Sequence, residues 1–193
     1  KFAKWFLRTS EAMAVKYADV VIADNKGIQD YVKETYDMPS ELIAYGGDHA
    51  QRNVPEARQL ETLRNYQVKA GEYAVSVCRI EPENNSHIIC EAFAASGKEL
   101  VFVGNWERSE YSRELKKKYS QCHNIRMVDS VYDLDELYAL RKQCSCYVHG
   151  HSAGGTNPSL VEAMFFGKPI LAYDVVYNRE TTENKACYFK DCK

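Results

Sequence analysis

The sequence predicts an α/β protein built on a doubly wound, mostly parallel sheet. Three observations carry that expectation. From residue 73 onward, short apolar runs alternate with segments of helical periodicity. Runs such as YAVSVC (73–78) and ELVFV (99–103) are nearly continuously apolar, as in strands covered on both faces. The loops that follow the runs are polar and glycine-rich, whereas those that precede them (SGK, QCHN, GK) are plain.

The elements follow in order. Phe2, Phe6, Met13 and Tyr17 fall at helical spacing with Trp5 beside them. VVIA (20–23) reads as a short buried strand. Asp24 and Asn25 can cap the next helix, whose stripe is Ile28, Tyr31, Val32 and Tyr36. ELIAY (41–45) reads as a strand, and GGD then breaks the chain. Residues 49–70 are mostly polar, with Leu60 and Leu63 as their one strong helical pair. A boundary is therefore expected near 46–55, separating residues 1–48 from 49–193. Beyond it come strand 73–78, a helix marked by Ile88, Ile89, Ala92 and Phe93, strand 99–103, and a helix marked by Tyr111, Leu115 and Tyr119. IRMV (125–128) is the next strand. Asp133 and Glu136 stand at capping-box spacing before a helix through Leu134, Leu137, Tyr138 and Arg141. CYVH (146–149), PILAY (169–173) and ACYFK (186–190) complete the strands.

Composition narrows the function. The chain has 193 residues, 45% hydrophobic and 27% charged, as in ordinary globular proteins. A net charge of −2 provides no general attraction to nucleic acid. No apolar run approaches the roughly 20 residues of a membrane span. The first residue is Lys1, and no signal-peptide layout follows, so the chain reads as a piece of something longer. Seven cysteines include no CxxC pair, which argues against a zinc ribbon and for free thiols in the cytoplasm.

In doubly wound sheets ligands bind beyond the carboxyl ends of the strands, where the unusual loops RIEPENN, GNW, DSVYD, GHSAGGTNP and DVVYNRE fall. The stretch HGHSAGGTNPSLVEAM (149–164) is the richest of them. Asn157 suits an N-cap, Pro158 the first helical position and Gly167 the residue past the end, giving a helix over about 158–166. Free N–H groups at Ser159 and Leu160, with Gly154 and Gly155 before them, suit an anion. Glu162 lies one turn inside, where a carboxylate suits hydroxyls such as those of a ribose. Leu160, Ala163 and Met164 form its core face. His149 and His151 share a strand face. They fit a metal pair, a histidine bonded to a ligand, or a satisfied structural pair; zinc would need a further ligand such as Asp129 or Asp174. Arg79 is the best phosphate candidate.

These residues resemble a known family. YAVSVCRIEPENN, ELVFVGNW and GGTNPSLVEAMFFGKPILAYD are similar to the carboxyl-terminal, donor-binding domain of GT-B-fold glycosyltransferases, in the large retaining family 4. RIEPENN, HGHSAGGTNPSLVEAM and YNRE look like a bacterial branch associated with rhamnosyl transfer in polysaccharide assembly. The resemblance implies a Rossmann-like donor domain over residues 49–193, incomplete at its carboxyl end. Residues 1–48 would be the tail of the acceptor-side domain and the interdomain segment. The family's basic pair on the donor diphosphate maps to Arg79 and Asn84, the latter replacing a lysine. Of its two glutamates eight positions apart, the second is Glu162, which binds ribose, and the first falls on Gly154.

The resemblance thus implies Arg79 and Glu162 as catalytic residues. Asn84, Tyr132, His151, Gly154, Gly155, Thr156, Asn157 and Ser159 form the donor-binding set. Tyr132 borders the base, and backbone N–H groups over 155–160 share the diphosphate. No cofactor and no metal are implied beyond a nucleoside-diphosphate sugar as donor substrate. The implied partners are a glycan or lipid-linked saccharide acceptor and the missing acceptor-side domain. The implied setting is the cytoplasm, with peripheral association at the inner face of the membrane and no nucleic acid. Two rivals stand beside this reading: a non-catalytic nucleotide-sugar-binding module, and a nucleotide-sugar epimerase on the same fold.

Overall fold

A computed structural model describes residues 2–192. They fall into two compact units, one ending at Tyr45 and one beginning at Gly46. The first unit holds helix α1 (Phe2–Tyr17), strand β1 (Ile22–Ala23), helix α2 (Lys26–Tyr36) and strand β2 (Glu41–Leu42). β1 and β2 pair in parallel, Ile22 opposite Glu41, with α2 as the crossover. Asn25 caps α2 by accepting from the Gly27 N–H at 2.8 Å. Val32 is buried but Tyr31 is exposed, so the apolar stripe of α2 is narrower than its spacing suggests.

The second unit opens with helix α3 (Glu56–Asn65) and continues through β3 (Tyr73–Val77), α4 (Ser86–Ser96), β4 (Glu99–Val103), α5 (Glu110–Lys118) and β5 (Ile125–Val128). It then runs α6 (Leu134–Gln143), β6 (Cys146–His149), α7 (Pro158–Met164), β7 (Ile170–Tyr173), α8 (Val176–Thr181) and β8 (Cys187–Phe189). The six strands β3–β8 stand in the order β5-β4-β3-β6-β7-β8, and every pairing is parallel. The predicted doubly wound α/β sheet is therefore present. Its order reverses between β3 and β6, and a crevice opens at such a switch point.

Side chains alternate across the sheet and fill two cores. Ala74, Leu100, Phe102 and Val148 meet Ile89 and Cys90 of α4 and Leu115 of α5 on one face. Tyr73, Val75, Val101, Val103 and Tyr147 meet Leu63, Leu140 and Ala163 on the other. Each fully buried large apolar side chain contributes about 1.5–3 kcal/mol. Covering both faces is what makes the strands read as unbroken apolar runs.

Four local expectations change. α3 forms in the polar stretch because it packs on α6 through polar groups as well as Leu63. Gln143 donates to Gln59 Oε1 at 2.7 Å, and the Tyr66 hydroxyl donates to Glu136 at 2.9 Å. In α6 the buried residues are Ala139, Leu140 and Arg141, while Leu134 is exposed. α7 ends at Met164, two residues early, and Met164 is exposed rather than core. DVVYNRE, read as a loop, contains α8.

Candidate functional site

The carboxyl ends of β3, β4 and β5 and the start of α7 surround a cleft of about 520 Å³. β3 supplies Val77, followed by Cys78, Arg79 and Ile80; the loop after β4 supplies Gly104, Asn105 and Arg108; the loop after β5 supplies Ser130, Val131 and Tyr132. Arg141 enters from α6, and Asn157, Ser159 and Glu162 from α7 and its cap. The strand ends approach closely at Gly104, where a Cβ would lie 2.5 Å from the Cys78 carbonyl oxygen. Burial pushes the Cys78 thiol up to about 12, so it faces the cleft as a neutral group.

The cleft is cationic on one side and carboxylate on the other. Arg79 and Arg108 are mostly exposed and only loosely tied, to Glu83 at 3.8 Å and Glu81 at 4.0 Å. Exposed pairs at such range contribute little, so both guanidiniums can exchange partners. Glu162 is engaged at both oxygens. Arg141 Nη2 forms an ion pair with Oε2 at 2.5 Å, and His49 Nε2 lies 3.0 Å from Oε1. His49 comes from the short 3₁₀ turn Asp48–Ala50.

Arg79, Asn84, Tyr132, Asn157, Ser159 and Glu162 thus share one cleft, whereas His151, Gly154, Gly155 and Thr156 are not among the residues that line it. Two of the expected roles change with geometry. Asn84 is 2% exposed; its Nδ2 donates to the Arg79 carbonyl at 2.7 Å and its Oδ1 meets His151 Nδ1 at 2.7 Å. Asn84 therefore holds the Arg79 backbone with one of its two amide N–H donors. The N–H groups expected to be free are also taken. Asn157 Oδ1 accepts from Ser159 N–H at 3.0 Å and the Asn157 carbonyl accepts from Leu160 N–H at 3.0 Å. The cap that starts α7 consumes both of these donors.

The loop after β6 is tied to the loop after β3 and to α8. Asn85 Nδ2 donates to the Gly150 carbonyl at 2.9 Å, Ser152 Oγ to the Glu83 carbonyl at 2.8 Å, and Asn178 Nδ2 to the His151 carbonyl at 2.9 Å. Gly150 lets the two loops touch, since a Cβ there would fall 2.1 Å from the Asn84 carbonyl oxygen. Gly154 has φ +81°, a left-handed conformation that favours glycine, so its backbone accounts for the residue. His149 is 2% exposed, and burial, with a smaller push from His151, holds its pKa down at about 3. Burial also lowers the His151 pKa. Among the described residues no group of three or more His, Cys, Asp or Glu is placed to hold a metal ion.

Residues 59–190 match the family model described as glycosyl transferases group 1. The chain belongs to that family. Residues 1–48 match a separate model described as a domain of unknown function (DUF1972). Solved structures share the fold of this group 1 family member at low identity. One is Alr3699/HepE from Anabaena, in complex with UDP and glucose: TM-score 0.77, 17% identity, covering 97% of this chain and 53% of that one. Another is sucrose-phosphate synthase from Thermosynechococcus elongatus: TM-score 0.76, 17% identity, 94% of this chain and 48% of that one. A third is the C-terminal domain of the group 1 family protein LpcC from Francisella tularensis: TM-score 0.55, 15% identity, 74% and 80% coverage. The chain spans about half the length of the first two. Its sheet is the Rossmann-like domain of GT-B glycosyltransferases.

Two residues of the cleft escaped the sequence reading. Arg108 follows a strand whose loop drew attention for its glycine, and only folding carries it to the Arg79 side. Arg141 read as one position of a helical stripe, yet it is buried against Glu162. The available signal was an arginine among the apolar positions of the α6 stripe, five residues before β6, because arginine seldom enters a core unpaired.

Proposed function

We propose that this chain is the donor-binding part of a glycosyltransferase that moves a sugar from a nucleoside diphosphate to a glycan or lipid-linked acceptor. The observation that carries the reading is one cleft lined by two loosely paired cations, Arg79 and Arg108, and by the Glu162 carboxylate. The cations suit the diphosphate and the carboxylate the ribose hydroxyls. Arg79 then stabilises charge on the departing diphosphate, an electrostatic contribution made where the charge develops. Tyr132, almost fully exposed, borders the base. The reading needs no metal, because the guanidiniums supply the positive charge. UDP in the Anabaena neighbour supports a nucleotide donor.

The finer assignments rest on the sequence resemblance: family 4, retention at the anomeric carbon, and rhamnose as the sugar in polysaccharide assembly. So do residues 1–48 as the tail of an acceptor-side domain and a cytoplasmic enzyme at the inner membrane face. No helix among the described residues is long and apolar enough to cross a membrane. Calorimetry with UDP, ADP, GDP and CDP tests the core of the reading. One of them binds the wild type, and Glu162→Ala weakens it about tenfold or more, as loss of hydrogen bonds to a charged group does. Equal binding by both forms removes Glu162 from the ribose. Incubated alone with donor and acceptor sugars, the chain releases no transfer product.

A further inference from the structure

Arg141 is costly where it stands. It lies in the last turn of α6 and is 7% exposed. Its Nη2 is 2.5 Å from Glu162 Oε2, while its Nε is buried without a hydrogen-bond partner among the described residues. Removing a guanidinium from water is offset only when its donors are used. Packing does not require it, since Ala139 and Leu140 already fill that part of α6. Helix electrostatics do not require it either, since Lys142 already places a cation in the last turn. What the burial does achieve is to clamp one carboxylate at the wall of the cleft.

We propose that Arg141 is a positioning residue: it orients the Glu162 carboxylate and thereby sets the preference of the cleft for a ribose bearing both hydroxyls. The proposal rests on the ribose reading of Glu162 given above. An ionised carboxylate has about four acceptor positions, two on each oxygen. The ion-paired Arg141 guanidinium stands against one side of Oε2, and His49 Nε2 takes a position on Oε1. One position remains on each oxygen, and two neighbouring hydroxyls are the donor pair that matches them. Without Arg141 the carboxylate keeps only the exposed His49, and the two acceptors lose their fixed direction. Lysine is a poor substitute, because an ammonium on a flexible stem is not held where the rigid guanidinium places Nη2.

The test compares ribonucleoside diphosphates with their 2′,3′-dideoxy forms, by calorimetry on the full chain with UDP, ADP, GDP and CDP. The wild type prefers the ribose form by about tenfold or more. Arg141→Met brings the ratio near one while binding of the dideoxy form changes less than about threefold. Arg141→Lys gives an intermediate ratio and serves alone if the methionine variant does not fold. Adding Arg141→Met to Glu162→Ala changes the ratio no further. An unchanged ratio in the arginine variants overturns the proposal, as does an equal loss for both ligands, which would mark a phosphate contact or a structural role. A wild type that binds ribose and dideoxy forms equally, or binds none of the four, overturns the ribose reading of Glu162 itself.

Discussion

His149 closes β6 with a neutral imidazole in a dry place, and its Nε2 has no partner among the described residues. The folded pKa of about 3 lies below the ordinary value of 6.5. Between those values the unfolded chain binds the extra proton, so stability falls as pH drops from 6.5 toward 3 and is fully present above 6.5. From pH 7 to pH 4 this site alone removes on the order of 3 kcal/mol. Urea unfolding at both pH values should show that loss reduced by a similar amount in His149→Phe. Asn84 makes a second residue-scale case. Asn84→Lys restores the charge expected from the family pattern, yet places it at a 2% exposed site that serves His151 and the Arg79 carbonyl. It should destabilise by about 2 kcal/mol or more, visible as a lower melting temperature, with no gain in nucleotide affinity. The residue type at 84 was legible in the sequence. Its role was not, because the partner His151 lies 67 positions away.

Among elements, the loops at the strand ends are locked by close approach. Gly104 and Gly150 have ordinary φ, so their glycine requirement is steric: the Cys78 and Asn84 carbonyls stand where a side chain would begin. Gly104→Ala and Gly150→Ala should each cost about 1–3 kcal/mol by overpacking, measured by denaturant titration, and each should loosen nucleotide binding by shifting the Arg79 segment. The strands were legible because continuous apolar runs are a local signal. Helix α3 was nearly hidden, since its contacts to α6 include Gln59, Gln143, Tyr66 and Glu136, residues that look like a solvated face. The start of α7 was read correctly from Asn157 and Pro158. The same cap misled the anion argument, because a side chain that starts a helix also uses up its first donors.

At the scale of the molecule, parallel order β5-β4-β3-β6-β7-β8 brings loops from three strands and two helices to one edge. Arg79 and Arg108 meet there from separate crossovers. If both serve the diphosphate, affinity falls as salt rises, because exposed charges are screened. Arg79→Gln and Arg108→Gln should each weaken nucleoside diphosphate binding about tenfold, leave the parent nucleoside unaffected, and together flatten the salt dependence. Nucleoside binding that falls equally would place these arginines elsewhere in the site. Sequence alone determined the class of fold, and it pointed to the strand-end edge and to Arg79 and Glu162 as candidates. Those depend on periodicity and on chemistry carried within a few residues. Tertiary structure decided that Asn84 is a brace, that Ser159 N–H is spent, and that Arg108 and Arg141 belong to the cleft. Each of those depends on which distant loop a group meets, and only the packed sheet sets that distance.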